Sequence, residues 1–173
     1  MSASQARGIA ALRGGMVKIL LTLLLVAGAG LATPATAQNV RLTKLTDVNF
    51  GALTTTANDV WQAQDVCAFV QSLSGRYNIR ATGSGTGGAF TLANGSSALP
   101  YEVQWNGSAG QTSGTNLTPG VALGGLTAVT VNQSCTLLIA SSASLIIMLR
   151  AAALSRATAG SYAGTLTLII AAE

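Results

Sequence analysis

Three observations predict an all-β chain folded as a sandwich. Apolar and polar residues alternate with period two in several short segments, most cleanly at 76–82, 99–106 and 164–172. Turn signals rich in glycine and asparagine separate such segments at short intervals. Only 8% of residues are charged, while Gly, Ser, Thr and Ala abound, which describes an extracellular β protein better than a cytosolic enzyme.

The N-terminal region reads as a secretory signal. Arg7, Arg13 and Lys18 are basic, and no acid precedes Asp47. The apolar stretch 19–31 follows, and Ala35-Thr36-Ala37 forms a small-residue cleavage site before Gln38. The stretch is too short, and too rich in Ala and Gly, for a spanning helix. The first cysteine is Cys67, so no lipidated cysteine follows the cleavage site. Met16 opens a more usual signal peptide (M-V-K-I-L-L-T-L-L-L) and is the expected translation start. The expected organisation is a signal peptide at 1–37 and one β domain at 38–173 that does not span the membrane. Of nine basic residues three belong to the leader, leaving six against five acids. A net charge of +1 removes the argument for nucleic acid.

Each element follows in order. Residues 38–46 form a short lead. Residues 47–53 (D-V-N-F-G-A-L) are a first strand candidate, and 59–70 a strand carrying Cys67. Ser74-Gly75 turns into 76–82, with Tyr77, Ile79 and Ala81 on one face and Arg76, Asn78, Arg80 and Thr82 on the other. A glycine loop at 83–88 leads to a short strand at 89–93, with Phe90 and Leu92 inward. Asn94-Gly95 makes a hairpin-type turn. In 99–106, Tyr101, Val103 and Trp105 alternate with Glu102, Gln104 and Asn106. A long loop spans 107–120, and 126–131 is another strand candidate. The run 144–150 is apolar on both faces, so it is either central in the sandwich or faces a partner. Residues 151–159 have helical propensity, and 160–172 complete the sheet. About six to eight strands at this spacing suit an immunoglobulin-like sandwich.

Cys67 and Cys135 are the only cysteines. In an oxidising compartment such a pair reads as a disulfide, which would stabilise by roughly 4 kcal/mol in the chain-entropy model. Two buried free thiols are the alternative. Catalytic chemistry is hard to build: there is no histidine, and Lys44 is the one lysine after the leader. Asp47, Asp59, Asp65, Glu102 and Glu173 form no evident carboxylate pair or metal cage. No enzyme activity, metal or cofactor is expected. The loop G-S-G-T-G-G lacks the Lys-Ser/Thr of a phosphate cradle and leads into a strand. The N-x-S/T triplets at Asn94, Asn106, Asn116 and Asn132 read as turn and surface chemistry. Trp61, Trp105, Tyr77, Tyr101 and Tyr162 read mainly as core.

The ordered pieces D-V-N-F-G (47–51), V-C (66–67), Y-N-I-R-A-T-G-S-G-T-G-G-A-F-T-L (77–92), L-P-Y-E-V-Q-W (99–105), L-T-P-G (117–120), Cys135 and A-G-S-Y-A-G-T-L-T-L-I-I (159–170) resemble the spore coat protein U domain family. Its bacterial members include subunits of archaic chaperone–usher pili. The resemblance covers nearly all of 38–173, and it rests on the order of the pieces. It implies an incomplete immunoglobulin-like sandwich lacking its last strand. A periplasmic chaperone, and then another pilus subunit at the outer-membrane usher, would lend that strand by strand addition. On this reading Thr165, Leu166, Thr167, Leu168, Ile169 and Ile170 line the partner-strand groove, and Val40 and Leu42 are the candidate donor segment. Lys44 breaks the donor alternation and the lead is short, so the chain reads as a better acceptor than donor. That would suit a tip or minor subunit serving adhesion and biofilm formation. The alternative is a self-complete secreted sandwich binding a ligand such as a glycan through Arg76, Arg80 or loop 107–120.

Overall fold

The computed structural model describes residues 39–54, 57–136 and 141–173. The expected signal peptide lies outside the described residues. The strands are β1 (Asn39–Thr43), β2 (Val60–Gln71), β3 (Arg76–Gly83), β4 (Thr91–Asn94), β5 (Ser97–Pro100), β6 (Glu102–Asn106), β7 (Thr115–Asn116), β8 (Ala122–Thr127), β9 (Ala143–Leu149) and β10 (Leu166–Ala172). One helical turn, α1 (Ala151–Leu154), and a 3-10 turn at Thr86–Gly88 interrupt them. A five-stranded sheet runs β1-β2-β9-β6-β7, a three-stranded sheet β10-β3-β8, and β4-β5 is a hairpin. All strand pairings are antiparallel. The fold is an all-β sandwich.

The alternation in the sequence decides which faces meet. In β3, Tyr77, Ile79 and Ala81 are fully buried while Arg76 and Arg80 are exposed. They pack against Val66 and Val70 of β2, Val103 and Trp105 of β6, and Leu145 and Leu149 of β9 in one core. The indole N–H of Trp105 donates to the Tyr77 hydroxyl at 3.0 Å, joining the sheets across the interior. The two rings meet edge to face, with centroids 6.4 Å apart.

Two segments are buried on both faces, each for a visible reason. Strand β9 lies centrally between β2 and β6. Its outward Ser144 is sealed by loop 107–114: Ser144 Oγ donates to Asp65 Oδ1 at 2.9 Å and accepts from Gln111 N–H at 3.0 Å. Gly110 N–H donates to the same Asp65 oxygen at 2.6 Å. In β2, Cys67 and Phe69 face outward, yet both are buried. Residues 128–135 cover them: Val129 exchanges backbone bonds with Ala68 and Val70, each at 3.1 Å, and Cys135 forms the disulfide with Cys67. The cysteines are thus paired, with Cα atoms 5.7 Å apart and a sequence separation of 68.

Several expected elements fall elsewhere. Residues 47–53 are not a strand: Asn49 Oδ1 accepts Gly51 N–H at 2.7 Å and curls the segment, while Phe50 packs on the core. The lead instead supplies β1, paired to β2 through Asn39↔Gln71 to Thr43↔Cys67. The strand expected at 99–106 divides at Pro100, which has no N–H to give a ladder, so the chain changes partner from β4 to β9. The strand expected at 126–131 lies earlier, at β8, which contains Gly124-Gly125 and pairs β3 with a register shift between Tyr77 and Ile79. The β4–β5 turn falls as expected, with Gly95 at φ +59° in its first central position.

Candidate functional site

The site that emerges is a seam between the edge strands of the two sheets, β1 and β10. Its polarity follows from hydrogen-bond parity. Glu173 N–H donates to Arg76 O at 3.0 Å, continuing the register Ala172↔Tyr77. Opposed residues of an antiparallel pair alternate between bonded and non-bonded pairs. Ala171, Ile169 and Thr167 therefore bond β3, and the backbone groups of Leu166, Leu168, Ile170 and Ala172 point out from the sheet edge. The same parity applies to β2. The backbone groups of Val66, Ala68 and Val70 are taken up by Ser142 and Val129 on the other side. Strand β1 therefore bonds through Asn39, Arg41 and Thr43, which leaves the backbone of Val40 and Leu42 facing outward.

Six apolar side chains follow the same phase. Val40, Leu42, Leu166, Leu168, Ile170 and Ala172 turn toward the core and pack on it, yet all are only half-buried. Thr167, Ile169 and Ala171 are exposed on the outer face, and Ile169 is 45% exposed. Thr165 precedes the strand and donates its N–H to Ser84 Oγ at 3.1 Å. Of the residues expected to line a groove, then, Leu166, Leu168 and Ile170 face inward, and Thr165, Thr167 and Ile169 do not. The candidate donor residues Val40 and Leu42 are engaged within their own sheet.

Several Cα pairs of β1 and β10 come within 8 Å. A strand paired to both edges needs two spacings, about 9.6 Å. An incoming strand would therefore have to part the edges where they approach most closely. It would bury apolar surface worth about 1 kcal/mol for every 40 Å² covered.

Other candidate groups are committed to structure. Among the described residues, the two salt bridges converge on Arg150, which joins Asp59 and Glu102, a constellation that sequence spacing did not reveal. Its Nε donates to Glu102 Oε1 at 2.9 Å and its Nη1 to Asp59 Oδ2 at 2.8 Å. Asp59 Oδ1 also accepts Ala151 N–H at 2.8 Å. That backbone bond, then Arg150, holds the Asp59 carboxyl below its usual range. Glu102 first and Asp59 second raise the Arg150 pKa further. The cluster ties the start of β2 to α1 and β6. Burial pushes the Tyr77 hydroxyl up to about 12, against the opposing effect of the Trp105 bond, and burial also raises Tyr101. Tyr101 stacks on Phe90 at 5.6 Å.

Arg76 and Arg80 lie on the exposed face of β3, and Arg76 Nη2 reaches Gly125 O at 3.5 Å. Trp61, expected mainly as core, is instead 47% exposed. Lys44 Nζ donates to Ser141 Oγ at 3.2 Å. Among the described residues no group of His, Cys, Asp and Glu could hold a metal ion, and no helix is long and apolar enough to cross a membrane. No family model, curated protein or solved structure matches this chain.

Proposed function

We propose that this protein is an exported structural subunit of an extracellular pilus or coat, assembled by accepting a strand along the seam between β1 and β10. The observation that carries the reading is the outer edge of β10. Its backbone groups at Leu166, Leu168, Ile170 and Ala172 bond nothing among the described residues, beside apolar side chains that are only half-buried. Native sheets protect such edges, because an unpaired flat strand is a template for another. Strand addition supplies what is lacking: main-chain bonds for affinity and alternate apolar side chains for register.

The disulfide supports export, since such bonds persist in oxidising compartments. So does the leader read in residues 1–37. The resemblance to the spore coat protein U domain family agrees with an immunoglobulin-like sandwich lacking one strand. On this reading a periplasmic chaperone holds the seam first, and a neighbouring subunit replaces it at the outer-membrane usher. The fibre would serve adhesion and biofilm formation. With β1 engaged in cis, the subunit is better suited to accept a strand than to lend one, as at a tip or minor position.

The test titrates the purified protein with a seven-residue peptide of alternating apolar residues, matched to the length of β10. A control peptide has the same composition with the alternation scrambled. The expected result is uptake of the first alone, with new protection at the outward amides of β10. A stable monomer that takes up neither peptide, and recovers no chaperone from the periplasm, overturns the proposal.

A further inference from the structure

The end of β10 is held by an unusual contact. The Glu173 side chain crosses β3 to reach β8, and its carboxylate accepts Gly125 N–H at 3.2 Å on Oε1 and 3.0 Å on Oε2. Gly125 has φ +74°, a left-handed conformation that favours glycine. A Cβ on Gly124 would run into Glu173 Oε1, so the carboxylate occupies the space where any other residue would carry a side chain. The Glu173 backbone is held as well: its N–H donates to Arg76 O at 3.0 Å, and its O accepts from Ser74 Oγ at 2.9 Å. At the other end, Thr165 N–H bonds Ser84, and Ala163 exchanges bonds with Ala93 at 2.8 and 3.0 Å. Strand β10 is thus pinned at both ends, while its middle hangs on β3 alone.

We infer that Glu173, seated on the Gly124-Gly125 step of β8, is a positioning residue that clamps β10 in register and keeps its outer edge ready for an incoming strand. An edge strand bonded on one side frays from its ends. A slip of one residue would also turn Leu166, Leu168 and Ile170 out of the core and put Thr167 and Ile169 in. The glycine pair explains how the clamp is admitted. Without a Cβ at 124 the carboxylate can lie against the strand, and a bond to an ionised acceptor is stronger than a neutral one. The role in strand uptake rests on the function proposed above; the clamp itself does not.

The test compares the protein with Glu173→Ala, Glu173→Gln, Gly124→Ala and the Glu173→Ala/Gly124→Ala pair. Amide exchange is read at Ile169 and Ala171 and, as a reference, along β9. Glu173→Ala is expected to speed exchange at Ile169 and Ala171 roughly tenfold, leaving β9 unchanged. Gly124→Ala should do the same by unseating the carboxylate. The pair should be no worse than either single change, because both remove one contact. Glu173→Gln, which keeps an acceptor oxygen, should recover part of the protection. Unchanged exchange in Glu173→Ala, or effects that add in the pair, would overturn the clamp. A second arm measures uptake of the alternating peptide. Slower uptake by Glu173→Ala supports positioning, and an equal rate at equal register refutes it. If the unaltered protein takes up no peptide, the proposed function fails while the exchange arm still decides the clamp.

Discussion

Leu149 and Leu168 are both leucines on the core face of a strand, yet Leu149 is 2% exposed and Leu168 is half-buried. The difference lies in their neighbours. Leu149 ends β9, which has β2 on one side and β6 on the other. Leu168 is in the middle of β10, which has β3 on one side only. Across the interior, Tyr77 and Trp105 are sealed and hydrogen-bonded to each other, and no buried side-chain polar atom among the described residues lacks a partner. Along the seam, six apolar side chains in the right phase stop short of burial. The same period-two pattern thus produces a finished wall where a strand has two neighbours and an unfinished one where it has one.

The largest break in this comparison comes from the finished side. Trp105→Ala should cost about 3–5 kcal/mol in denaturant unfolding, as a large cavity opens and Tyr77 loses its partner. A loss well below that would mean that the interior is as loosely packed as the seam. Tyr77→Phe should cost about 1–3 kcal/mol, because the buried Trp105 N–H is left without an acceptor. This change also has a pH signature. The Tyr77 hydroxyl is raised from 10.0 to about 12, so its neutral form is favoured in the folded state. Its contribution is fully present below pH 10 and is lost as pH rises toward 12. The alkaline fall in stability should accordingly be shallower in Tyr77→Phe than in the unaltered protein.

Leu168→Ala sharpens the comparison from the other side. It should cost only about 1 kcal/mol in the isolated protein, since the side chain is already partly in water. It should nevertheless weaken peptide uptake clearly; a variant as destabilised as an interior leucine change would show that the seam is closed. The smallest effect is expected at Arg150→Ala, because its ion pairs are exposed. The Asp59 part of that cluster is present above pH 3.8 and is lost as pH falls below it, since its carboxyl is depressed in the fold. Acid unfolding curves of the two proteins should therefore converge at low pH.

How legible each part was depended on whether one strand or two neighbours set it. The alternation of β3, the double-sided run of β9 and the period-two pattern of β10 could be read directly, because side-chain parity is local. Which face of β10 turns inward could not: the sequence puts all six residues from Thr165 to Ile170 in the groove, although only Leu166, Leu168 and Ile170 of them pack on the core. The pairing of Cys67 with Cys135 was readable as one of two options, and the structure resolves it. The lead at β1 was not read as a strand in the chain's own sheet, because five residues carry too little pattern to show which edge they join. The fate of 47–53 turned on one Asn49–Gly51 bond that outweighs strand propensity. Strand β8 was misplaced because Gly124-Gly125 looks like a loop until the Glu173 carboxylate that fills the missing side-chain space is seen. The Arg150 cluster joins residues 91 and 48 positions apart, which no local pattern encodes.

Residue-resolved amide exchange of the monomer along β10 tests the central claim most directly. An open edge predicts alternation: fast exchange at Leu166, Leu168 and Ile170, and slow exchange at Thr167, Ile169 and Ala171, which bond β3. Uniform protection of all six amides in a dilute monomer would mean that the edge is already paired, and would contradict the account.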